Sequence, residues 1–351
     1  MEEIQTGRAL TAYGMEHASC ARYGEGHIND TFLVVQGEDK RILQRLNRHV
    51  FPHPLEVMEN VSAVLAHLKA RITDPRGTLT LLPTVAGADC FVDSDGEVFR
   101  MYDFVRDSAS PQKAESPAQF GLAGEAFGRF CGLLADFPAE RLHEVIPAFH
   151  DTEQRYAALL RAAETDPLHR AAEVAAEIGF YRARAEVYGT LRRAKEAGTL
   201  PLRVTHNDTK LNNVLFDART GAPLCVIDLD TVMPGFSVTD FGDAIRFGAN
   251  TGAEDERDLS LVSFSLPCYR AYAEGFLRGS DGRLTEGEVR LFPEGALLMT
   301  LECGMRFLTD YLMGDTYFRI HRPGHNLDRC RTQIKLAKEM EEHLEQCRNM
   351  I

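Results

Sequence analysis

The sequence predicts an α+β fold in two lobes: an antiparallel sheet with one main helix over residues 1–105, and a larger, mainly helical lobe over 106–351. Three observations predict it. Short apolar runs separated by Gly- and Asp-bearing turns crowd the first lobe and read as strands and hairpins. After Val105 the composition turns polar and loop-like as far as Pro117, and beyond it apolar residues recur at spacings of three and four. A chain of 351 residues also has room for two domains of roughly 100 to 200 residues each.

Bulk composition narrows the function classes. An apolar fraction of 44% and a charged fraction of 26% are ordinary for a soluble globular chain. The 39 Lys and Arg against 52 Asp and Glu leave a net charge of −13, which argues against a nucleic-acid partner. Any nucleotide must therefore be held by local Arg and Lys. The eight cysteines are scattered without a CxxC pair, so neither a zinc site nor a disulfide framework is indicated. Met1 to Gln5 lacks the basic and apolar regions of a secretory leader, and no apolar run is long enough for a bilayer. A cytoplasmic protein with small-molecule partners and no membrane partner is expected, as a monomer or weak homo-oligomer.

Taken in order, residues 1–20 read as a loosely helical lead-in. Tyr23 to Thr31 then brings two glycines before the strand at Phe32–Val35, a polar turn and a second strand at Arg41–Leu46. Glycines let a backbone lie close over phosphates with N–H groups inward. Gly24, Gly26 and Asn29 are the candidates for a nucleotide-covering loop; a plain hairpin turn is the alternative. Arg45, on the third strand, is a candidate phosphate cation or an ordinary surface Arg. Pro52 to Ala70 is helical, and Glu56 or Glu59 on it is a candidate to brace Arg45. Strand signals return at Thr78–Pro83, Cys90–Val92 and Val98–Val105, with an Asp-Gly turn between the last two. Met101, Tyr102 and Phe104 lie where the last strand runs into the second lobe, a place for an adenine ring to bond to backbone.

In the second lobe, Phe120, Ala123, Phe127, Phe130, Leu134 and Phe137 mark a buried amphipathic helix. Asp151–Gly198 should form one or two long helices broken near Asp166-Pro167. Further helices are expected over Leu259–Leu277, Glu286–Leu312 and Asp328–Cys347.

The chemistry concentrates between these helices. His206-Asn207-Asp208 is followed by Lys210, by Asn213 and, after a Gly-bearing turn, by Asp228 and Asp230 at the end of an apolar strand. This is the layout of a phosphoryl-transfer loop, in which one Asp positions the nucleophile while an amide and a second acid hold magnesium. Mg²⁺ prefers oxygen ligands and keeps several waters, so Asn213 and Asp228 suffice. Asp208 is then free to accept a bond from the acceptor hydroxyl, with Lys210 offsetting charge on the moving phosphoryl group. His206 shapes the loop, and Asp230 is a second-shell or second-metal acid. Asp240-Phe241-Gly242 spells a metal-binding triplet of protein kinases, but it lies 32 residues past Asp208, so the metal is assigned to Asp228.

The H-x-D-x-x-x-x-N motif at 206–213 and I-D-x-D at 227–230 resemble the aminoglycoside phosphotransferase and choline kinase superfamily, small-molecule kinases with a two-lobed protein-kinase-like fold. Within it, the runs 206–217, 227–235, 240–250 and 306–318 resemble the N-acetylhexosamine 1-kinases, as do GEGHINDTF at 24–32 and ILQRLN at 42–47. The likeness covers nearly the whole chain. It implies ATP- and Mg²⁺-dependent phosphorylation of the anomeric hydroxyl of N-acetylglucosamine or N-acetylgalactosamine. By the same resemblance Asp208 is the base, Asn213 and Asp228 bind metal, and Asp243 and Arg306 hold sugar hydroxyls beside Arg246, Phe247 and Tyr317. The residues agree, because a neutral polyol suits charged forks, whereas a cationic acceptor wants acids and aromatic faces without Arg. The family's usual third-strand Lys appears here as Arg45. The other readings are a kinase for another small alcohol (another sugar, a choline-like or an aminoglycoside acceptor) and a non-catalytic nucleotide-binding regulator. The last predicts loss of Asp208, Asn213 or Asp228, and all three are present.

Overall fold

A computed structural model describes residues 2–24 and 28–351. Gly26 lies outside the described residues. The chain divides into two compact units. The first takes in the chain up to Ser110 together with Asp136–Ile146 and Val214–Pro234; the second comprises Pro111–Ala135, Pro147–Asn213 and Gly235–Ile351. The two returns to the first unit are not announced by the composition change at residues 106–117. Asn60 helps to hold them. Its side chain donates to the carbonyls of His143 and Val232 at 2.8 and 2.9 Å and accepts from the His143 N–H at 2.8 Å.

The first unit begins with helix α1 (Glu2–Ala12) and strands β1 (Ser19–Arg22), β2 (Asp30–Gln36) and β3 (Asp39–Arg45). Helix α2 (Pro54–Lys69) follows, then β4 (Leu81–Leu82), β5 (Phe91–Val92) and β6 (Val98–Asp103). All pairings are antiparallel in the order β1-β2-β3-β6-β4, with β5 also against β6. Side chains of a strand alternate between faces, and here the alternation decides what can reach what. Phe32, Val34, Leu43, Phe99 and Met101 pack with Ala9, Leu10 and Tyr13 of α1 in one apolar core. Gln44 and Arg100 are register partners and point to the other face.

The second unit contains α3 (Pro117–Leu133), α4 (Thr152–Thr165), α5 (Ala175–Arg182), α6 (Thr190–Glu196), α7 (Ser237–Gly248), α8 (Leu266–Ser280), α9 (Glu286–Arg290), α10 (Phe292–Met313), α11 (His325–Glu342) and α12 (Leu344–Arg348). The stretch after Asp151 breaks at Asp166, which caps α4 in a left-handed conformation at φ 34°, but it gives three helices and not one or two. Helix α10 is buried along most of its length and packs on α4, α7 and α11.

The aromatic stripe of α3 is core, as its spacing predicts, with Phe120, Phe127 and Phe130 all buried. A second pattern on the same helix brings α8 unusually close. Gly121, Gly124 and Gly128 of α3 face Ala271, Tyr272 and Phe276 of α8, while Gly275 and Gly279 face α3 in return. A methyl on Gly128 would fall 2.1 Å from the Phe276 carbonyl oxygen. Gly128→Ala must push the helices apart and should destabilise the protein by about 3 kcal/mol. Gly179→Ala on α5, where nothing lies within 4 Å, should instead stabilise by about 0.5–1 kcal/mol. Denaturant midpoints of the two variants test the contrast.

Candidate active site

Strand Arg203–Thr205 delivers the loop that starts at His206. Backbone N–H groups of His206 and Asn207 donate to the Asp240 carboxylate at 2.8 and 2.7 Å, and the Thr209 hydroxyl donates to the Asp240 carbonyl at 2.6 Å. Asp240 is buried on α7, and burial pushes its carboxyl up to about 6 against the opposing pull of His206 and the two amides. The neighbouring Phe241 stacks on Phe292 with ring centres 4.1 Å apart. The Asp-Phe-Gly triplet thus sits in a helix and holds the loop, and its acid is engaged by backbone amides. His206 is fully buried between the rings of Phe127 and Phe130, which meet it edge-on, and its Nδ1 accepts the Asp208 N–H at 3.3 Å.

Asp208 is fixed from two sides. Lys210 Nζ lies 2.7 Å from one carboxylate oxygen, and the Asn213 amide nitrogen donates to the other at 3.1 Å and to the Asp208 carbonyl at 2.8 Å. The Asn213 nitrogen is therefore engaged, and its oxygen is the atom left for a cation. Burial opposes the charge of Lys210, but the carboxylates of Asp208 and Asp243 outweigh it and hold the ammonium above its ordinary range. Asp243 accepts from the Thr209 N–H at 3.1 Å and from Arg246 at 3.1 and 3.3 Å. Arg246 also reaches Glu254 at 3.1 Å. Asp243 and Arg246 are both buried, so each is a preset fork with little open surface.

Arg306 of α10 has different company. Its guanidinium lies 5.3, 5.8 and 5.5 Å from the ring centres of Phe149, Tyr317 and Phe318, and it makes no ion pair among the described residues. One turn further along α10, the Asp310 carboxylate accepts from the backbone N–H groups of Thr316, Tyr317 and Phe318 at 2.8 to 2.9 Å. That single buried acid ties the aromatic loop to the helix carrying Arg306. Tyr317 is 69% exposed and Phe247 is 38% exposed, so both rings offer a face to solvent.

In the first unit, the ring of contacts lies on the sheet face opposite α1. Arg100 is buried, donates twice to Gln44 at 2.8 and 3.0 Å, and forms an ion pair with Asp230. Asn29 donates to the other oxygen of Asp230 and accepts the Asn47 N–H at 2.9 Å. Asp228 is exposed and left-handed at φ 60°, a conformation that costs a non-glycine residue about 1–3 kcal/mol. Gly24, at φ 77°, has open space around its Cα.

A phosphotransferase enzyme family model, APH, matches residues 19–274. The chain belongs to this family. Its fold is the two-lobed protein-kinase-like one of solved family structures. This phosphotransferase is similar to a microcompartment-associated aminopropanol kinase, with a TM-score of 0.60, 18% identity and 98% of each chain covered. Spectinomycin phosphotransferase in complex with ADP and spectinomycin matches with a TM-score of 0.59, 10% identity and 98% of each chain covered. Choline kinase from Cryptosporidium parvum Iowa II matches with a TM-score of 0.59 and 14% identity, over 99% of this chain and 97% of that one.

Three sequence assignments need correction in this phosphotransferase. Arg45 is paired with Asp30, at 2.9 Å through Nε, and with Gln5 at 2.8 Å, so neither Glu56 nor Glu59 braces it. It shares its sheet face with Leu43 and α1, away from Arg100 and Asp230. Asp230 has both oxygens engaged by Arg100 and Asn29, so of its two readings the contacts favour an acid behind the metal site over a metal ligand. Met101 and Tyr102 have a strand on either side, Leu43 and Leu82 opposite the first, Ile42 and Leu81 opposite the second. The Phe104 N–H donates to the Lys40 carbonyl at 3.3 Å. The ladder thus occupies the Met101 and Tyr102 backbone and the Phe104 N–H, which the sequence offers to an adenine ring. Arg100 and Asp310 were missed, and the partners of Asp240 with them, because these contacts are made across a turn or a long loop, where no fixed spacing signals them.

Proposed function

We propose that this phosphotransferase transfers the γ-phosphoryl group of ATP to the anomeric hydroxyl of N-acetylglucosamine or N-acetylgalactosamine. The observation that carries the choice of acceptor is the charge balance around Asp208. The acids of that cluster are already engaged: Asp208 by Lys210, Asp243 and Glu254 by Arg246, Glu302 by His150, and Asp240 by the backbone amides of His206 and Asn207. Arg306, under an aromatic rim, makes no ion pair among the described residues. A cationic acceptor would have to compete for carboxylates that are already engaged, whereas hydroxyl and acetamide oxygens suit a guanidinium fork and exposed rings.

Asp208 accepts a hydrogen bond from the acceptor hydroxyl and aims its oxygen, which is most of the work in a transfer with a loose transition state. Lys210 tethers that carboxylate and brings positive charge to the arriving phosphoryl group. Asp243 and Arg246 are preset to bond neighbouring hydroxyls of the sugar. The Asn213 amide oxygen, in the second unit, and the Asp228 carboxylate, in the first, are each a hard oxygen donor of the kind that would suit Mg²⁺. A magnesium ion held there would supply charge neutralisation at the phosphates. The first unit supplies the nucleotide-covering loop around Gly24 and Asn29.

ADP release with Mg-ATP over a panel of N-acetylglucosamine, N-acetylgalactosamine, glucose, galactose, choline, homoserine and an aminoglycoside tests the reading. Turnover should concentrate on the two N-acetyl sugars, with the phosphate on C1 by NMR of the product. A cationic best acceptor sinks the assignment of Arg306 and Tyr317 to a sugar.

A further inference from the structure

The Asn207 carbonyl, one peptide before Asp208, is met by an imidazole from a distant part of the chain. His150 lies just ahead of α4 with its side chain 10% exposed. Its Nδ1 is 2.9 Å from Oε1 of Glu302, and its Nε2 is 3.3 Å from the Asn207 carbonyl oxygen. Glu302 is buried on α10, and its other oxygen accepts from the Thr152 hydroxyl at 2.8 Å. A carbonyl oxygen and a carboxylate are both acceptors, whereas a neutral imidazole carries only one N–H. Bonding both at once takes both ring protons.

We infer that His150 is an imidazolium that suspends the Asn207 carbonyl from Glu302, and so acts as a positioning residue for Asp208. The consequence reaches across the acceptor side. Glu302 and Arg306 are four residues apart on α10, so one proton on His150 links the helix that carries Arg306 to the loop that carries Asp208. This rests on the reading of Asp208 as the group that aims the acceptor hydroxyl.

The charges facing the ring favour the cation. Glu302 and Arg306 face it from α10, Asp240 and Asp243 from α7, and Arg155 of α4 lies near Glu302. Burial opposes protonation of His150, but Glu302 and Asp243 outweigh it and hold the ring above the ordinary imidazole range. Glu302 is pushed upward by burial and pulled down further by His150, Arg306 and Thr152, so it stays ionised. With the folded value raised, the tether is complete at and below the ordinary imidazole range. It is lost as pH rises through the higher folded value.

Two measurements test this. Nitrogen-15 NMR of the histidine-labelled full chain at pH 7 should show both His150 nitrogens protonated, with the signal assigned by its loss in His150→Gln or its shift in Glu302→Gln. A neutral tautomer overturns the inference, and this arm needs no acceptor, so it stands or falls apart from the sugar assignment. In the rate profile, His150→Gln keeps at most one of the two bonds. It should lower kcat by about ten- to a hundredfold with the KM for ATP unchanged, and should erase the alkaline limb expected of the wild type. Glu302→Gln should move that limb down by about one pH unit. A limb that stays in place in both variants overturns the inference; if His150→Gln does not fold, the wild-type spectrum and Glu302→Gln decide.

Discussion

Asp208→Asn is expected to lower the rate of phosphoryl transfer by about a thousandfold while ATP binding changes less than about twofold. The carboxylate receives Lys210 Nζ on one oxygen and the Asn213 amide on the other, so its ionised form is the one the loop is built around. An amide there would turn its own NH₂ toward one of those donors. The loop itself should survive, because its backbone hangs from Asp240 and not from Asp208. Single-turnover kinetics with Mg-ATP, alongside titration of the same variant with ATP, separates the two effects. Retained transfer at more than a tenth of the wild-type rate would mean that another group aims the acceptor. Lost ATP binding would mean that Asp208 belongs to the nucleotide site.

The fold was legible because its signals are local. Alternation and Asp-Gly turns mark β2, β3, β5 and β6, and three-four spacing marks α3 and α10, so each element announces itself within its own window. The loop from His206 to Asn213 was legible for the same reason, since its partners Lys210 and Asn213 sit within five residues of Asp208. What the sequence hid is set by packing between distant segments. The close approach of α3 and α8 depends on glycines that meet carbonyls on a facing helix, and periodicity of apolar residues does not report it. Asp240 was singled out for its triplet, yet its actual partners are amides 33 and 34 residues away. Arg45 was misjudged through the pleat: one step along β3 changes the face, and Gln44, not Arg45, shares the face of Arg100.

That face carries the second large effect. Arg100→Met should destabilise the protein by about 3–5 kcal/mol, because it leaves Asp230 buried without its cation. Arg100 and Asp230 are almost fully enclosed, at 1% and 4% side-chain exposure, so water cannot replace the lost partner. The Arg45–Asp30 pair is the internal control. Both of its side chains are about a quarter exposed, and Arg45→Met should cost less than about 1 kcal/mol. The double variant Arg100→Met/Asp230→Leu discriminates between an ion pair that stabilises and one that merely must not be broken. Removing both charges should recover most of the loss, since an apolar pair of similar volume avoids the desolvation that the ion pair bears. Denaturant midpoints of the three variants measure this, with Mg-ATP binding followed in parallel. Recovery of stability without recovery of ATP binding would assign the Arg100–Asp230 pair to the setting of the Asp228 loop, since Asp228 caps the short turn at Leu229–Thr231 and Asp230 is its middle residue. Recovery of neither would show that the polar groups left behind dominate the cost, Gln44 having lost both bonds from Arg100 and Asn29 its acceptor on Asp230.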